Sequence, residues 1–595
     1  MNANEKLAKL RALMDQEGIN AYIVDSPDYH QSEYLAEHFK ARHFLTGFTG
    51  YVGTLVVTKD ESALWTDGRY FTQAEIQLKG SEIKLFKMNE PGTPTVLTYI
   101  GEKLKESAVL AFDGRTISMG QGINFEKEVV GAKKGKIRQD VDLVDQVWEG
   151  RPPMPKGDVF IHDLKYNGES CGSKLGRLRE KMRHLGANKH IITTLDDIAW
   201  LLNIRGRDVL YVPYTLSYVI VTPGEVELFI DGGKLNAEVK VHLAENNVRL
   251  RGYNDIYEAI KTFAKGDCIL IDPNRINYSI FANIGKEAKI IEAQNPTVLF
   301  KAVKNPVQIE NIKSEQVKEG VAFTKFIFWL KNNIGKTPLT EISAAEKLES
   351  FRRGQEGYYS PSFPPISGYK GHGAIIHYRP SEETNIELLP ESFYLIDSGG
   401  QYFGATTDTT RTLALGELTR EQKTHYTAVL KANLNLSRLK FLHGCKGSNV
   451  DVIARAQMWS LGLDYKHGTG HGIGQFLGGH EAPQRFMWNY PDPASEPVLE
   501  AGMILSNEPG FYIKDEYGIR LENAVLVKEI EQNEFGQFLC LEPITYTPFD
   551  MDAVDVDALS PADKACLNEY HQKVYDLLAP FLDEAEREWL AGLRA

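Results

Sequence analysis

Four acidic side chains and one imidazole stand in strand-like or glycine-rich segments between residues 397 and 522. Asp397 ends an apolar run, Asp408 enters another, and His471, Glu508 and Glu522 follow in HGTGHGIG, NEPG and GIRLEN. The Gly-rich stretch between Asp397 and Asp408 can form a hairpin that brings both carboxylates to one patch. Buried acids repel one another unless cations lie between them, and carboxylates with one imidazole suit Mn²⁺, Zn²⁺ or Co²⁺. The pattern indicates a hydrolytic centre with two divalent ions, the alternative being unrelated surface acids and a structural histidine.

The histidine spacing in HGTGHGIG does not indicate a helical zinc-protease site. His467 and His471 are four residues apart, but the segment lacks the glutamate of the H-E-x-x-H motif and its glycines disfavour a helix. In residues 518–523 the alternation of side chains predicts a strand on which Arg520 and Glu522 share one face. We interpret Arg520 as a partner that orients Glu522 rather than as a substrate contact.

An internal repeat in the N-terminal half predicts the elements that precede these residues. The apolar positions of LAKLRALMDQEGINAYIV (7–24) match those of LGRLREKMRHLGANKHII (175–192), which predicts an amphipathic helix, a glycine cap and a buried strand. Residues 54–70 and 218–234 each show two β-rich runs joined by a polar turn, which predicts a hairpin. The same α/β unit is therefore expected twice.

The rest of the pattern predicts an α/β (α+β) chain with boundaries at Pro-rich or Pro-containing links. Residues 151–155 separate the two repeats, and Lys304-Asn305-Pro306 precedes helical periodicity over 307–333 and a helix from an N-cap at Thr340 to about 353. The domains that we predict are residues 1–150, 151–303, 304–550 and a helical C-terminal extension, 551–595, packed on the third.

Composition excludes several classes of protein. The 595 residues carry 67 Lys plus Arg and 80 Asp plus Glu, and the net charge of −13 argues against nucleic acid as a partner. The five scattered cysteines form no C-x-x-C pair, so a disulfide framework or zinc ribbon is not expected. With no apolar run of membrane-spanning length and no signal-like start, we expect a cytoplasmic protein without a membrane partner.

The motif order resembles that of a known enzyme family. Asp397, Asp408, His471, Glu508 and Glu522 occur in the order of the five ligands of the pita-bread metallopeptidases, which include methionine aminopeptidase, prolidase and aminopeptidase P. The sequences of these segments, together with HQSEY, WTDGRYF and GAIIHYRP, resemble those of the cytosolic Xaa-Pro aminopeptidases. The resemblance covers nearly the whole chain. The resemblance implies two creatinase-like N-terminal domains, a C-terminal pita-bread catalytic domain and a homodimer.

The same resemblance implies an activity and a ligand set. A metal-dependent aminopeptidase would release the N-terminal residue from peptides with proline in second position, by attack of a hydroxide that bridges two ions, most readily Mn²⁺, with Zn²⁺ or Co²⁺ as alternatives. Asp397 would chelate one ion, His471 and Glu508 would hold the other, and Asp408 and Glu522 would bridge both. Glu508 would also carry the proton toward the leaving proline nitrogen.

Four further residues receive substrate roles from the resemblance. His377, His467 and His480 would position the scissile carbonyl and stabilise the oxyanion, although structural histidines are the alternative. Arg69 falls opposite Gly233 when the two repeats are aligned, so the fold does not require an arginine there. A contact between Arg69 and the peptide is therefore predicted, with a domain-packing salt bridge as the alternative.

The sequence alone leaves three alternative functions. Prolidase, which cleaves only dipeptides, usually has one leading domain rather than the duplicated one expected here. A catalytically inactive pita-bread protein that binds peptides or histones would lack metal ligands, and the five-residue set is complete. A metal-free, creatinase-type amidinohydrolase is disfavoured for the same reason.

Overall fold

The computed structural model describes residues 1–490 and 493–595, which form two units. The first comprises Met1–Asp163 with Glu169–Thr297, and the second comprises Leu164–Gly168 with Val298–Ala595. Among the described residues, no helix combines the length and the apolar character that a membrane crossing requires.

The first unit contains the predicted duplication as two sheets of identical strand order. The strands of the first sheet, in order across it, are Lys84–Lys87, Ser62–Thr66, Thr54–Thr58, Ala21–Val24, Val109–Phe112 and Lys136–Arg138. Those of the second are Val248–Arg251, Val226–Ile230, Ser217–Val221, Lys189–Ile192, Cys268–Ile271 and Lys289–Glu292. In both sheets the fourth strand pairs antiparallel with the third and parallel with the fifth. The predicted hairpins are confirmed.

The helix that opens each repeat packs on its sheet through the predicted apolar positions. Ala3–Gln16 buries Leu7, Leu10 and Met14, and Cys171–His184 buries the equivalent leucines and methionine. Gly18 and Gly186 follow these helices with φ of 66° and 73°, a conformation that glycine adopts without strain. The other main helices of this unit are Ala41–Thr46, Phe71–Gln77, Val96–Lys103, Met119–Phe125, Leu143–Val147, Leu195–Leu202, Ala237–Glu245, Ile256–Ala259 and Tyr278–Asn283.

Two helices that the sequence predicts follow the short helix Pro296–Ala302, and both are capped. Pro306–Asn333 begins with proline, and Asn305 caps it by accepting a hydrogen bond from the Gln308 amide. Glu341–Arg353 is capped by Thr340 in the same way. The later helices are Arg420–Ser437, Gly447–Trp459, Pro561–Leu578 and Glu584–Ala591.

The strands of the second unit form several small sheets, and two of these carry the residues of interest. A three-stranded sheet has the order Ile366–Tyr369, Phe393–Ser398 and Thr409–Ala414. A larger sheet has the order Lys440–Leu442, Gly536–Pro543, Asn523–Asn533, Ile504–Asn507, Gly470–Gly472 and Glu481–Phe486. Two further pairings join Gly510–Ile513 with Tyr517–Arg520, and Tyr358–Pro361 with Gly400–Tyr402 and Ala405–Thr406.

Helices cover these sheets and form the core with them. Helix Arg420–Ser437 packs on the larger sheet, and buried Leu567, Val574 and Leu578 of the last long helix join that same cluster. Helices Pro306–Asn333 and Glu341–Arg353 bury their apolar faces against the three-stranded sheet. Both sheets are therefore covered by packed helices.

Candidate metal centre

Three of the five predicted ligands lie close enough together to bind one metal ion. One ligand atom each of Asp408, His471 and Glu522 falls within 4.8 Å of the other two. Glu508 joins them, since its Oε1 lies 3.3 Å from His471 Nε2, and Asp408 Oδ2 lies 3.6 Å from the same nitrogen. Strand pairing sets Asp397 opposite Thr410, two residues after Asp408. Folding thus brings all five side chains into one region.

Each acid stands where a strand begins or ends. Asp397 is near the end of Phe393–Ser398, whereas Asp408 immediately precedes Thr409–Ala414. Glu508 follows Ile504–Asn507 directly. Strand ends from two sheets therefore meet here, and they bring together acids as far apart in the chain as Asp397 and Glu522.

Glycines allow the backbones around this centre to approach closely. A Cβ atom on Gly399 would lie 1.8 Å from the carbonyl oxygen of Thr407, and one on Gly470 would lie 1.9 Å from that of Ser506. Neither distance is compatible with a side chain. The glycines beside Asp397 and His471 are therefore required by packing, not by turn geometry.

The carboxyl groups raise one another's pKa. Burial, and next the charges of the neighbouring acids, hold the pKa of Asp408 and of Glu522 well above the usual range. Burial raises the pKa of Glu508 to about 7. Asp397 Oδ1 is buried and has no hydrogen-bond partner among the described residues. This concentration of oxygen donors with one imidazole fits divalent cations, which would remove the repulsion and satisfy the unpaired oxygen.

Hydroxyl groups that the sequence did not single out hold two of the acids. Thr410 Oγ1 donates to Glu522 Oε2 at 2.7 Å, and Ser506 Oγ donates to Glu508 Oε1 at 3.1 Å. Thr410 and Ser506 lie in strands whose pairing only the fold reveals. Such contacts orient a carboxylate before an ion binds.

Arg520 differs from the sequence prediction in its direct partner. Its Nη2 donates to Asp397 Oδ2 at 2.6 Å, whereas it reaches Glu522 only through the hydroxyl of Thr410, to which Nε donates at 3.3 Å. The predicted strand over 518–523 also ends earlier, at Arg520, because Leu521 turns to bond the carbonyl oxygen of Pro509. Arg520 and Glu522 nevertheless both contact the hydroxyl of Thr410.

Tyr512, which no motif singles out, connects His467 to Arg520. Arg520 Nη1 donates to the Tyr512 hydroxyl at 2.9 Å, and His467 Nε2 lies 2.8 Å from the same oxygen. Burial raises the pKa of Tyr512 to about 12, so its hydroxyl stays protonated near neutral pH. His467 is thus joined to the predicted ligands through two hydrogen-bonded groups.

The other two histidines occupy different positions around the centre. The His480 side chain is exposed, and its ring packs edge-on against that of His471 with centroids 4.2 Å apart. His377 is half-buried in the turn after the short helix Lys370–Ala374, and the carbonyl oxygen of the preceding Ile376 accepts a hydrogen bond from Arg520 at 3.4 Å.

A buried carboxylate fixes the segment that carries His377. Glu341 accepts hydrogen bonds from the Tyr369 amide, the Tyr378 hydroxyl and, at 2.9 Å, His372 Nδ1. These three residues flank His377 on both sides. The segment is therefore anchored at both ends by one side chain.

Arg69 belongs to the first unit and forms a local clamp there. Its guanidinium donates to both carboxylate oxygens of Asp67, at 3.0 and 2.8 Å. Arg115 makes the same clamp with Asp113, and the equivalent turn at Asp231 forms without an arginine. The absence of an arginine from that turn agrees with the view that the fold does not require Arg69, whose substrate role stays a prediction.

Comparison with known families accounts for nearly the entire chain. The pattern of the creatinase/prolidase N-terminal domain matches residues 6–147, and a second pattern with the same description matches residues 150–308. Metallopeptidase family M24 matches residues 310–529, and the C-terminal region of peptidase M24 matches residues 537–592.

Individual relatives are similar over most of their length. Aminopeptidase P2 of Arabidopsis thaliana is 38% identical, with 99% of this chain and 88% of that protein covered. Xaa-Pro aminopeptidase 1 of Dictyostelium discoideum is 37% identical, with 98% and 94% covered. The crystal structure of the X-prolyl aminopeptidase of Caenorhabditis elegans, a cytosolic enzyme with a di-nuclear active site, superposes with a TM-score of 0.95 at 34% identity and 99% coverage of both chains. The chain therefore belongs to the aminopeptidase P family, within metallopeptidase family M24.

Proposed function

We propose that this protein removes the N-terminal residue from peptides with proline in second position, using two divalent metal ions. The observation that carries the proposal is the cluster of Asp408, His471 and Glu522 within 4.8 Å, with Glu508 and Asp397 beside it. The full-length similarity to Xaa-Pro aminopeptidases gives the substrate class. The cytosolic C. elegans enzyme supports a cytoplasmic location, and a homodimer stays a prediction.

The proposed ligands divide between two ions. Asp397 would hold one ion, His471 and Glu508 would hold the other, and Asp408 and Glu522 would bridge both. Support comes from the position of Asp408 and Glu522, which are the most buried acids of the set and each carry a pKa raised first by burial and then by the charges of the other acids. Mn²⁺ is the ion that we propose, since carboxylate oxygens dominate the donor set, with Zn²⁺ or Co²⁺ as alternatives.

The side chains around the proposed ions are assigned the remaining steps, which are proton transfer and binding of the scissile carbonyl. Two divalent ions supply acidity that lowers the pKa of a water molecule and polarises the scissile carbonyl. Glu508, the acid with the most exposed side chain at 17%, is proposed to take the water proton and to release it to the proline nitrogen. His377, His467 and His480 are proposed to hold the carbonyl oxygen as charge develops there.

Hydrolysis of peptides that differ in length and in their second residue is the direct test of this proposal. After chelation and addition of Mn²⁺, the protein is expected to release only the first residue from an Xaa-Pro-Yaa tripeptide. It is expected to leave the matched Xaa-Ala-Yaa peptide intact. Mass spectrometry of the products shows which of the two peptides is cleaved and at which bond. Hydrolysis confined to the Gly-Pro dipeptide would instead indicate a prolidase, and a protein with neither bound metal nor hydrolysis would indicate a peptide-binding relative.

The raised pKa values predict that metal ions stabilise the protein more at pH 8 than at pH 6. In the chelated protein, Asp408, Glu508 and Glu522 have pKa values raised first by burial, whereas carboxyls in the unfolded chain titrate near ~4. The stability that these groups contribute is therefore present at low pH and lost as the pH rises through about 7 for Glu508. Bound cations remove the repulsion at high pH and must displace protons at low pH.

The measurement is the increase in Tm on adding Mn²⁺ to chelated protein at each pH and at constant ionic strength. A larger increase at pH 8 is expected. Equal increases at both pH values would show that these carboxyls are not the groups that bind the ions.

A further inference from the structure

The last long helix reaches the centre through a buried tyrosine hydroxyl. Tyr570, in the helix Pro561–Leu578, is 8% exposed, and its hydroxyl lies 2.7 Å from the carbonyl oxygen of Thr547 and 3.2 Å from Asn523 Oδ1. Arg411 Nη2 donates to the same hydroxyl at 3.1 Å. The hydroxyl thus joins the C-terminal helix to a strand of the centre and to the residue that follows Glu522.

Arg411 is fully buried and connects this tyrosine to the main chain of Glu522. Its Nη1 donates to the carbonyl oxygens of Thr410 and Glu522, and its Nη2 donates to Asn523 Oδ1 at 2.7 Å. Its Nε donates to the carbonyl oxygen of Pro548 at 3.0 Å. No carboxylate among the described residues pairs with Arg411, so its charge is balanced by oxygens of main-chain and side-chain dipoles. Its position depends on all of those oxygens.

The backbone of Glu522 is therefore fixed on both sides. Its amide donates to the carbonyl oxygen of Thr410 at 3.1 Å, and its own carbonyl oxygen accepts from Arg411. Glu522 lies between two sheets rather than within a strand, so these two contacts replace the regular ladder that would otherwise position it. A shift of the Arg411 guanidinium would move the carboxylate with the backbone.

We propose that Tyr570 is a positioning residue of the metal centre, through which the C-terminal helix holds Arg411 against the main chain of Glu522. The inference rests on the proposed function, since it takes Glu522 as a metal ligand. It gives the C-terminal region a role in metal affinity, beyond the packing of apolar side chains. Hydrogen-bonding partners of ligands commonly affect metal affinity by 10–100-fold, and Tyr570 acts through one more residue.

The test compares Tyr570→Phe with a matched control in the same helix. Tyr575→Phe also removes one hydroxyl, but that hydroxyl makes no hydrogen bond among the described residues and its ring is only partly buried. For each variant and the wild type, Mn²⁺ affinity is measured by competition with a fluorescent chelator, and Tm is measured after chelation. Tyr570→Phe is expected to weaken Mn²⁺ binding by about threefold to tenfold. Tyr575→Phe is expected to bind Mn²⁺ as the wild type does.

A purely structural role for Tyr570 gives a different result. In that case the Tm of the chelated variant falls while its Mn²⁺ affinity equals that of the wild type, and this result would overturn the inference. If little folded Tyr570→Phe accumulates, the folded fraction is isolated by gel filtration at low temperature, and the same affinity comparison on that fraction decides. Wild-type protein that binds no Mn²⁺ and cleaves no Xaa-Pro peptide would refute the proposed function instead.

Discussion

Replacing Glu522 with glutamine is expected to lower kcat/KM for an Xaa-Pro peptide by about a thousandfold or more. The substitution keeps the size of the side chain and leaves an oxygen that can accept the hydrogen bond from Thr410. It removes a negative charge from the position that is proposed to bridge both ions. Bound metal, measured by mass spectrometry of the purified protein, is expected to fall in parallel.

The matched control is Glu529→Gln, the same chemical change on an exposed position of the strand Asn523–Asn533. It is expected to retain both turnover and bound metal. Asp408→Asn should behave as Glu522→Gln does, since Asp408 is the other proposed bridge. Near-normal turnover in either variant would contradict the bridging assignment.

The fold of the first unit could be predicted because its signals are local and occur twice. The spacing of Leu7, Leu10 and Met14 predicted a helix face that the structure buries, and the second copy repeated the pattern. The two hairpins were likewise predicted from runs of β-forming residues around short polar turns. A repeat provides two independent observations of one element, which strengthens each.

The acids of the centre could also be predicted, but their hydrogen-bond partners could not. Each acid stands in a motif with its own local character, whereas Thr410 is one of several threonines in TTDTTRT. Its contact with Glu522 joins positions 112 residues apart and depends on the register between two sheets. Tyr512 is selected only by the pairing that sets its strand beside Tyr517–Arg520.

The interpretation of Arg520 shows where a local rule fails. Alternation along 518–523 predicted a continuous strand, and Arg520 was therefore assigned to Glu522. The strand ends at Arg520, where the Leu521 amide bonds to the carbonyl oxygen of Pro509. The Arg520 guanidinium donates instead to Asp397, which lies on another strand. Side-chain periodicity describes one element and carries no information on what lies opposite its end.

His471 and His480 provide the sharpest test of the proposed difference between a metal ligand and a substrate-binding residue. Their ring centroids lie 4.2 Å apart. His471 Nε2 nevertheless lies near the carboxylates of Asp408 and Glu508, whereas His480 is exposed. His480→Ala is expected to lower kcat by about a hundredfold, the cost of losing one donor to the developing oxyanion, and to retain bound Mn²⁺. His471→Ala is expected to lose Mn²⁺ as well as turnover, because it removes the one imidazole of the proposed ligand set. Loss of metal in His480→Ala would place that residue among the ligands, and retention of metal in His471→Ala would remove His471 from them.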